Sequence, residues 1–194
     1  MLRLYMSPGS SSMAPHIALH EIGAPFEARW ISFGKREQRT PEYLALNPEG
    51  KVPALIVGGR ALTEVAAVLY YLARSFPAAG LWPAGDIEAE AETISWMSFI
   101  ASTVHPARRA GRERSVEVFE IADKRLGQGE WAVGSSYSIA DIHLFRLYWR
   151  FVGSFGPHPD QFLNLTRHYD RMMTRPAVRR TLEAESAVGY ELPA

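Results

Sequence analysis

A segment rich in proline, alanine and glycine near the middle of the chain, residues 77–83, separates two regions with different hydrophobic patterns. Before it, apolar runs of strand length alternate with runs at helical spacing, whereas beyond it every apolar run has helical spacing. The first pattern predicts a small mixed sheet with helices packed on it, and the second predicts a helical bundle. We therefore expect an α/β domain over residues 1–76, a linker over 77–85 and an all-α domain over 86–194.

Turn and capping residues place the expected elements along the chain. Gly23 is a helix stop, and Gly58-Gly59 is a tight hairpin turn between two strands. Residues Ser138 and Asp141 have the spacing of a capping box, which marks a helix start. The strands are expected at 2–6, 26–33, 52–57 and 61–62. The helices are expected at 14–22, 43–46, 64–76, 88–104, 113–126, 138–152, 162–174 and 177–184.

The composition excludes several classes of function. Lys and Arg total 21, as do Asp and Glu, so the formal charge is zero at pH 7, and no nucleic-acid partner is expected. The chain has no cysteine, which excludes disulfides, thiolate metal ligands and a protein thiol nucleophile. No apolar run approaches the roughly 20 residues that span a bilayer, and no secretory signal pattern is present, so we expect a cytoplasmic protein without membrane contact.

Residues 7–12, Ser-Pro-Gly-Ser-Ser-Ser, lie between the first strand and the first helix. Their hydroxyls, their backbone N–H groups and the positive end of the helix dipole would stabilise an anion, including a thiolate. The alternative is that the serines only cap the helix and solvate a loop.

Two further turns could bind a ligand through the backbone. If the Val52–Pro53 peptide bond is cis, the N–H and C=O of Val52 turn outward and can pair with an extended peptide; the alternative is a trans proline on an edge strand. Glu64 opens a helix, where it could bind a ligand ammonium while nearby N–H groups bind a carboxylate, or it could be a capping carboxylate alone.

A polar stripe marks the first helix of the second region. Ser95, Ser98, Ser102 and His105 are spaced three and four residues apart, and Pro106 removes an N–H that would bond Ser102, which favours a kink. The stripe could line a cleft or could be a solvated face. The histidines have no metal-ligand spacing, so no metal is expected.

Taken together, these segments resemble the glutathione transferase family, and more closely its bacterial beta class. The resemblance covers nearly the whole chain and rests on five motifs in the family's order. They are residues 5–19, 47–55 (Asn-Pro-Glu-Gly-Lys-Val-Pro-Ala-Leu), 62–72 (with Leu-Thr-Glu at its start), 138–141 (Ser-Ile-Ala-Asp) and 175–178 (Arg-Pro-Ala-Val).

The resemblance implies a thioredoxin-like domain followed by a helical domain, glutathione as co-substrate, and a homodimer. It implies that Val52, before a cis Pro53, pairs with the cysteinyl part of glutathione. It also implies that Glu64 and the Val65 N–H hold the γ-glutamyl end, and that Lys35 approaches the glycyl carboxylate. The resemblance puts Ser98 where a polar residue reaches across the dimer and His105 where a histidine borders the active site. Ser11 is the expected thiol-facing hydroxyl, with Ser12 and Ser10 next in order.

Two departures from the beta class bear on the chemistry. Ser11 stands where relatives carry cysteine, so a protein–glutathione mixed disulfide is impossible, and Pro106 replaces a common lysine. We expect conjugation of the glutathione thiolate to hydrophobic electrophiles, with Met13, Tyr148, Trp149 and Phe151 either walls of the electrophile pocket or core residues. The alternatives are a glutathione-dependent reductase, lyase or isomerase, or a glutathione-binding protein with little catalysis.

Overall fold

The computed structural model describes residues 1–191, and its contacts form two compact units. The first unit contains residues Met1–Ala79 together with the segment from Pro176 onward, and the second contains Gly80–Arg175. The expected division into 1–76, 77–85 and 86–194 follows chain order, whereas the contacts group the last helix with the sheet. The division into domains stays a prediction. The grouping is explained by the packing of this last helix on the first one.

The helices and strands lie close to their expected positions. The strands are β1 (Leu2–Met6), β2 (Phe26–Trp30), β3 (Ala54–Val57) and β4 (Arg60–Thr63). The helices are α1 (Met13–Ile22), α2 (Pro41–Leu46), α3 (Val65–Ser75), α4 (Ile87–Phe99), the short α5 (His105–Ala107), α6 (Arg112–Leu126), α7 (Ile139–Phe155), α8 (Leu163–Thr174) and α9 (Pro176–Val188).

The first unit is built on a four-stranded mixed sheet in the order β2-β1-β3-β4. Strand β1 pairs parallel to β2 and antiparallel to β3, which pairs antiparallel to β4. Gly58 and Gly59 join β3 to β4 with φ of 55° and 81°, which confirms the predicted hairpin, since a tight turn of this kind needs two positive φ angles. This is the thioredoxin-like arrangement that the sequence predicts.

Helix α1 lies in the centre of the first unit and contacts both α3 and α9. Its residues from Met13 to Leu19 are all buried, and the helix ends at Gly23, which has a φ of 70°. Glycine adopts this left-handed conformation without steric cost, so the predicted stop is confirmed. Burial on all sides fixes the start of α1, and with it the loop that precedes it.

The second unit is helical, as predicted. Its core contains large side chains from α4, α6, α7 and α8 and the turn before α8, among them Trp96, Phe119, Leu144, Phe151 and Phe162. Between α4 and α5, residues Ile100–Val104 form a π-helical turn, where the His105 N–H bonds the Ile100 carbonyl. Pro106 explains this change in the helical hydrogen-bond pattern, because it has no N–H to donate to the carbonyl of Ser102.

Helix α7 starts at the predicted capping box. The Ser138 hydroxyl accepts the Ala140 N–H at 3.2 Å, and Asp141 accepts the Ser138 N–H at 2.9 Å. Within residues 1–191, no helix combines the length and apolar character needed to cross a membrane. The same residues contain no group of three or more His, Asp or Glu side chains arranged to hold a metal ion.

Candidate active site

The loop of residues 7–12 is held together by the hydroxyl of Ser12. This oxygen accepts the Ser7 N–H at 3.0 Å, lies 3.2 Å from the Ser7 carbonyl and lies 2.8 Å from the Ser10 hydroxyl. Ser12 is 0% exposed and Ser10 is 7% exposed, whereas Ser11 is only half-buried. The hydroxyls of Ser10 and Ser12 therefore support the loop, and Ser11 has the most accessible hydroxyl of the three.

A buried carboxylate on α9 also holds the loop of residues 7–12 in place. Glu185, which is 0% exposed, accepts the Gly9 N–H at 2.6 Å and binds His16 Nδ1 at 2.9 Å. The Nε2 atom of His16 in turn lies 3.2 Å from the Nε2 atom of His20. Burial, followed by the charges of His16 and Arg180, lowers the pKa of His20 to about 4, so His20 is neutral near pH 7. Sequence reasoning missed Glu185.

The backbone before Pro53 is fixed by two side chains. The Tyr43 hydroxyl and the Asn47 amide both donate to the carbonyl of Lys51, at 2.6 and 2.8 Å. Burial raises the pKa of Tyr43, which keeps its hydroxyl a donor. The Val52–Pro53 bond is cis, as predicted, and Val52 is buried with 8% exposure.

Gly50 shapes the same turn. Its φ is 61°, and a Cβ built on it would lie 2.7 Å from the carbonyl oxygen of Gln38. Both the conformation and the close approach require glycine at this position.

The start of α3 is an unusual backbone position. Glu64 has a φ of 66°, an uncommon value for a residue other than glycine, and its exposed side chain makes no capping hydrogen bond to α3. Val65, the first helical residue, is 8% exposed. The Glu64 side chain therefore does not cap α3, and the unusual φ of Glu64 favours a functional role for this residue.

The turn after β2 carries Lys35, whose side chain is exposed. In this turn the Ser32 hydroxyl and the Gly34 N–H donate to the carboxylate of Glu191, at 2.9 and 3.0 Å. These two donors and the charge of Lys35 hold the pKa of Glu191 below its usual range. The first unit thus contains Ser11, Ser12, Lys35, Val52, Pro53, Glu64 and Val65 of the predicted site.

The other predicted residues lie in the helical unit. Ser98 is exposed on α4, and its carbonyl accepts the Ser102 hydroxyl at 2.8 Å; His105 is half-buried and follows the π-helical turn. Of the candidate pocket walls, Met13, Tyr148 and Phe151 are at most 2% exposed, so they are core residues.

A buried histidine on α7 has an unusual environment. His143 is 2% exposed, and neither of its ring nitrogens has a hydrogen-bond partner among residues 1–191. Burial, and then the charges of Arg146 and His105, lower its pKa to about 3.

Comparisons with known proteins agree with this architecture. Residues 1–74 match the family "Glutathione S-transferase, N-terminal domain", and residues 89–176 match "Glutathione S-transferase, C-terminal domain". The chain is 30% identical to glutathione S-transferase GstA of Escherichia coli O157:H7, over 95% of this chain and 98% of that protein.

Two solved structures are also similar. A sphingomonad glutathione S-transferase complexed with glutathione has 34% identity and a TM-score of 0.85, covering 95% of this chain and 98% of that one. The beta-class glutathione S-transferase of Sphingomonas chungbukensis has 34% identity and a TM-score of 0.82, covering 94% and 98%. On its sequence motifs, its fold and these matches, the chain belongs to the glutathione S-transferase family.

Proposed function

We propose that this protein adds the thiolate of glutathione to small hydrophobic electrophiles, as a cytoplasmic homodimer. The observation that carries the proposal is the arrangement of the loop of residues 7–12. Ser11 is the accessible hydroxyl at the start of α1, while the hydroxyls of Ser10 and Ser12 are buried and bonded within the loop. A hydroxyl in this position can donate a hydrogen bond to a bound sulfur.

Three elements of the first unit bind glutathione in this proposal. The Val52 backbone, beside Pro53, pairs with the cysteinyl part. The two hydrogen bonds from Tyr43 and Asn47 to the Lys51 carbonyl, which we call the clamp on the Lys51 carbonyl, support that pairing. Glu64 and the Val65 N–H hold the γ-glutamyl ammonium and carboxylate, a role supported by the exposed side chain of Glu64, which does not cap α3, and by its unusual φ. Lys35 binds the glycyl carboxylate.

The helical unit supplies the remaining residues. His105 borders the active site, and Ser98 is the polar residue that reaches the second subunit. The exposure of Ser98 and the partial exposure of His105 support these roles. Ser12, which is fully buried, supports the loop and through it the bound glutathione.

The mechanism requires an ionised sulfur held near the electrophile. The glutathione thiol loses its proton to solvent, because a serine hydroxyl is not a base at neutral pH. The Ser11 hydroxyl and the dipole of α1 then stabilise the thiolate, which attacks the electrophilic carbon and forms the carbon–sulfur bond. An aromatic halide loses halide in this step, and an epoxide opens its carbon–oxygen bond to an alkoxide that takes a proton from solvent. Binding both reactants together supplies the proximity that the uncatalysed reaction lacks.

The test is the pKa of bound glutathione in Ser11→Ala. We expect this pKa to rise, the conjugation rate at neutral pH to fall and glutathione affinity to stay near the wild-type value, because a donor to the charged form favours ionisation. Ser10→Ala is the control. An unchanged pH profile in Ser11→Ala with a shifted profile in Ser12→Ala or Ser10→Ala would move the role to that serine. An unchanged profile in all three variants would leave the dipole and backbone N–H groups as the stabilisers of the thiolate.

The reaction itself is tested with a panel of aromatic halides, epoxides, peroxides and disulfides. Turnover of the electrophiles supports conjugation, and turnover of disulfides or peroxides alone would favour a reductase. Glutathione binding without turnover of any of them would indicate a binding protein.

A further inference from the structure

The turn after β2 holds a carboxylate that belongs to the chain itself. Glu191, beyond the end of α9, places both carboxylate oxygens 2.9 Å from the Ser32 hydroxyl. One of them also accepts the Gly34 N–H at 3.0 Å. A hydroxyl and a backbone N–H that converge on one anion, beside the charge of Lys35, form a carboxylate receptor.

The receptor keeps its shape through contacts within the turn. Glu37 accepts the Ser32 N–H at 2.8 Å, and the Ser32 oxygen accepts the Lys35 N–H at 3.1 Å. Because the Ser32 oxygen already accepts one hydrogen bond on that side, its own proton is directed to the carboxylate of Glu191.

A cavity of about 250 Å³ opens beside this receptor. Its lining includes Pro8 of the loop that carries Ser11, Trp30 at the end of β2, Lys35, Val188 at the end of α9, and Glu191. The receptor and the loop of residues 7–12 therefore face one cavity, and the segment after α9 forms part of its wall.

We propose that Glu191 occupies the receptor of the glycyl carboxylate of glutathione and competes with it, so that this tail residue sets the affinity for glutathione. The inference rests on the proposed function, in which Lys35 faces the glycyl end. Two carboxylates cannot share the hydroxyl of Ser32 and the N–H of Gly34. Glutathione must therefore displace Glu191, and a peptide without a free carboxylate at that end has no such competitor.

The test compares two ligands and three proteins by calorimetry. The ligands are glutathione and its glycyl ethyl ester, which lacks the competing charge. The proteins are the wild type, Glu191→Gln, and Glu183→Gln, in which an exposed carboxylate of α9 is removed. We expect Glu191→Gln to bind glutathione about two- to fivefold more tightly at low salt, the range of exposed charged interactions, and to bind the ester as the wild type does. The gain should shrink at high salt.

Each other outcome overturns the inference in a recognisable way. Equal glutathione affinity in the wild type and Glu191→Gln would mean that Glu191 does not compete, with glutathione binding itself intact. Weaker glutathione binding in Glu191→Gln would mean that Glu191 helps to build the site. An equal gain in glutathione affinity in Glu183→Gln would mean that the effect comes from the net charge of the protein and not from the position of Glu191. Failure of all three proteins to bind either ligand would overturn the proposed function as well.

Discussion

Helices α1 and α7 both begin after a serine, but the two serine side chains act differently. At α7, Ser138 accepts an N–H of the helix and Asp141 accepts the N–H of Ser138, so the helix start is satisfied by its own side chains. At α1, Ser12 makes no capping hydrogen bond and bonds backward to Ser7 instead. The start of α7 is capped by its own side chains, and the start of α1 carries no side-chain cap.

The difference separates stability from ligand binding. A capped helix start contributes to the free energy of unfolding and has fewer donors left for a ligand, whereas a helix start without a side-chain cap keeps its donors and its dipole available to an anion. Substitutions at capped starts should therefore reduce stability, and substitutions at uncapped starts should reduce binding.

The largest effect is expected at the capped start. Asp141 is 0% exposed and accepts the Ala132 N–H at 2.7 Å, the Ser138 N–H at 2.9 Å and His168 Nε2 at 3.0 Å. Asp141→Ala leaves these donors buried without partners, so urea denaturation should show a loss of about 3–5 kcal/mol in the free energy of unfolding. The folded fraction should bind glutathione with wild-type affinity; weaker binding there would break the separation.

The start of α3 should show the opposite behaviour. Glu64 is exposed and makes no cap, so Glu64→Gln should weaken glutathione binding by about 1.5–3 kcal/mol, the value of a charge-assisted hydrogen bond to the ammonium. Calorimetry measures the affinity and thermal unfolding the stability. Glu113→Gln, in the first turn of α6, is the matched control for the helix dipole. If both variants lose the same glutathione affinity, Glu64 acts only through its charge at a helix start and does not bind the ammonium.

Stability should depend on pH through His143 on α7. Its pKa is about 3 in the folded protein, because burial disfavours the charged ring, against about 6.5 in the unfolded chain. The unfolded state binds the proton first as the pH falls, so stability is full above pH 6.5 and declines toward pH 3. At pH 5 the loss from His143 alone should be about 2 kcal/mol, and His20, whose pKa is lowered to about 4, adds a further loss over the same range. His143→Gln should remove the share of His143 and make this part of the stability profile shallower, with the share of His20 remaining; an unaltered slope would assign it to other groups.

The smallest effect is expected at the clamp on the Lys51 carbonyl. Tyr43→Phe removes one of its two hydrogen bonds, which is worth about 1 kcal/mol, and Asn47 keeps the other. The KM for glutathione should rise severalfold with kcat unchanged, because only the orientation of the Val52 backbone is affected. Tyr148→Phe, whose hydroxyl contacts Thr166 at 3.2 Å in the helical unit, should leave KM unchanged. A fall in kcat in Tyr43→Phe would point to a wider rearrangement.

Local signals in the sequence predicted most of the fold. The stop at Gly23, the hairpin at Gly58-Gly59 and the capping box at Ser138 each depend on residues a few positions apart, so the pattern alone contains the cause. The expected strand 26–33 was too long. Strand β2 ends at Trp30, because the following residues form the turn that binds Glu191.

Contacts between distant residues could not be predicted in this way. Helix α9 was expected to end at Ala184 but continues to Val188, because its packing on α1 compensates for a weak apolar pattern. Glu185 and Glu183 look alike in the sequence, and only the fold makes one a buried partner of Gly9 and leaves the other exposed. The position of Glu191 depends on the same packing.

The hydrogen bond between Gly9 and Glu185 has a consequence for biosynthesis. The two residues are 176 positions apart, so the ribosome makes the loop long before the carboxylate that holds it. Domains fold as they emerge, and the sheet can form while α9 is still being translated. A nascent or prematurely terminated chain without α9 would therefore carry a sheet whose loop lacks its anchor, and the loop would take its final form only after α9 has been made.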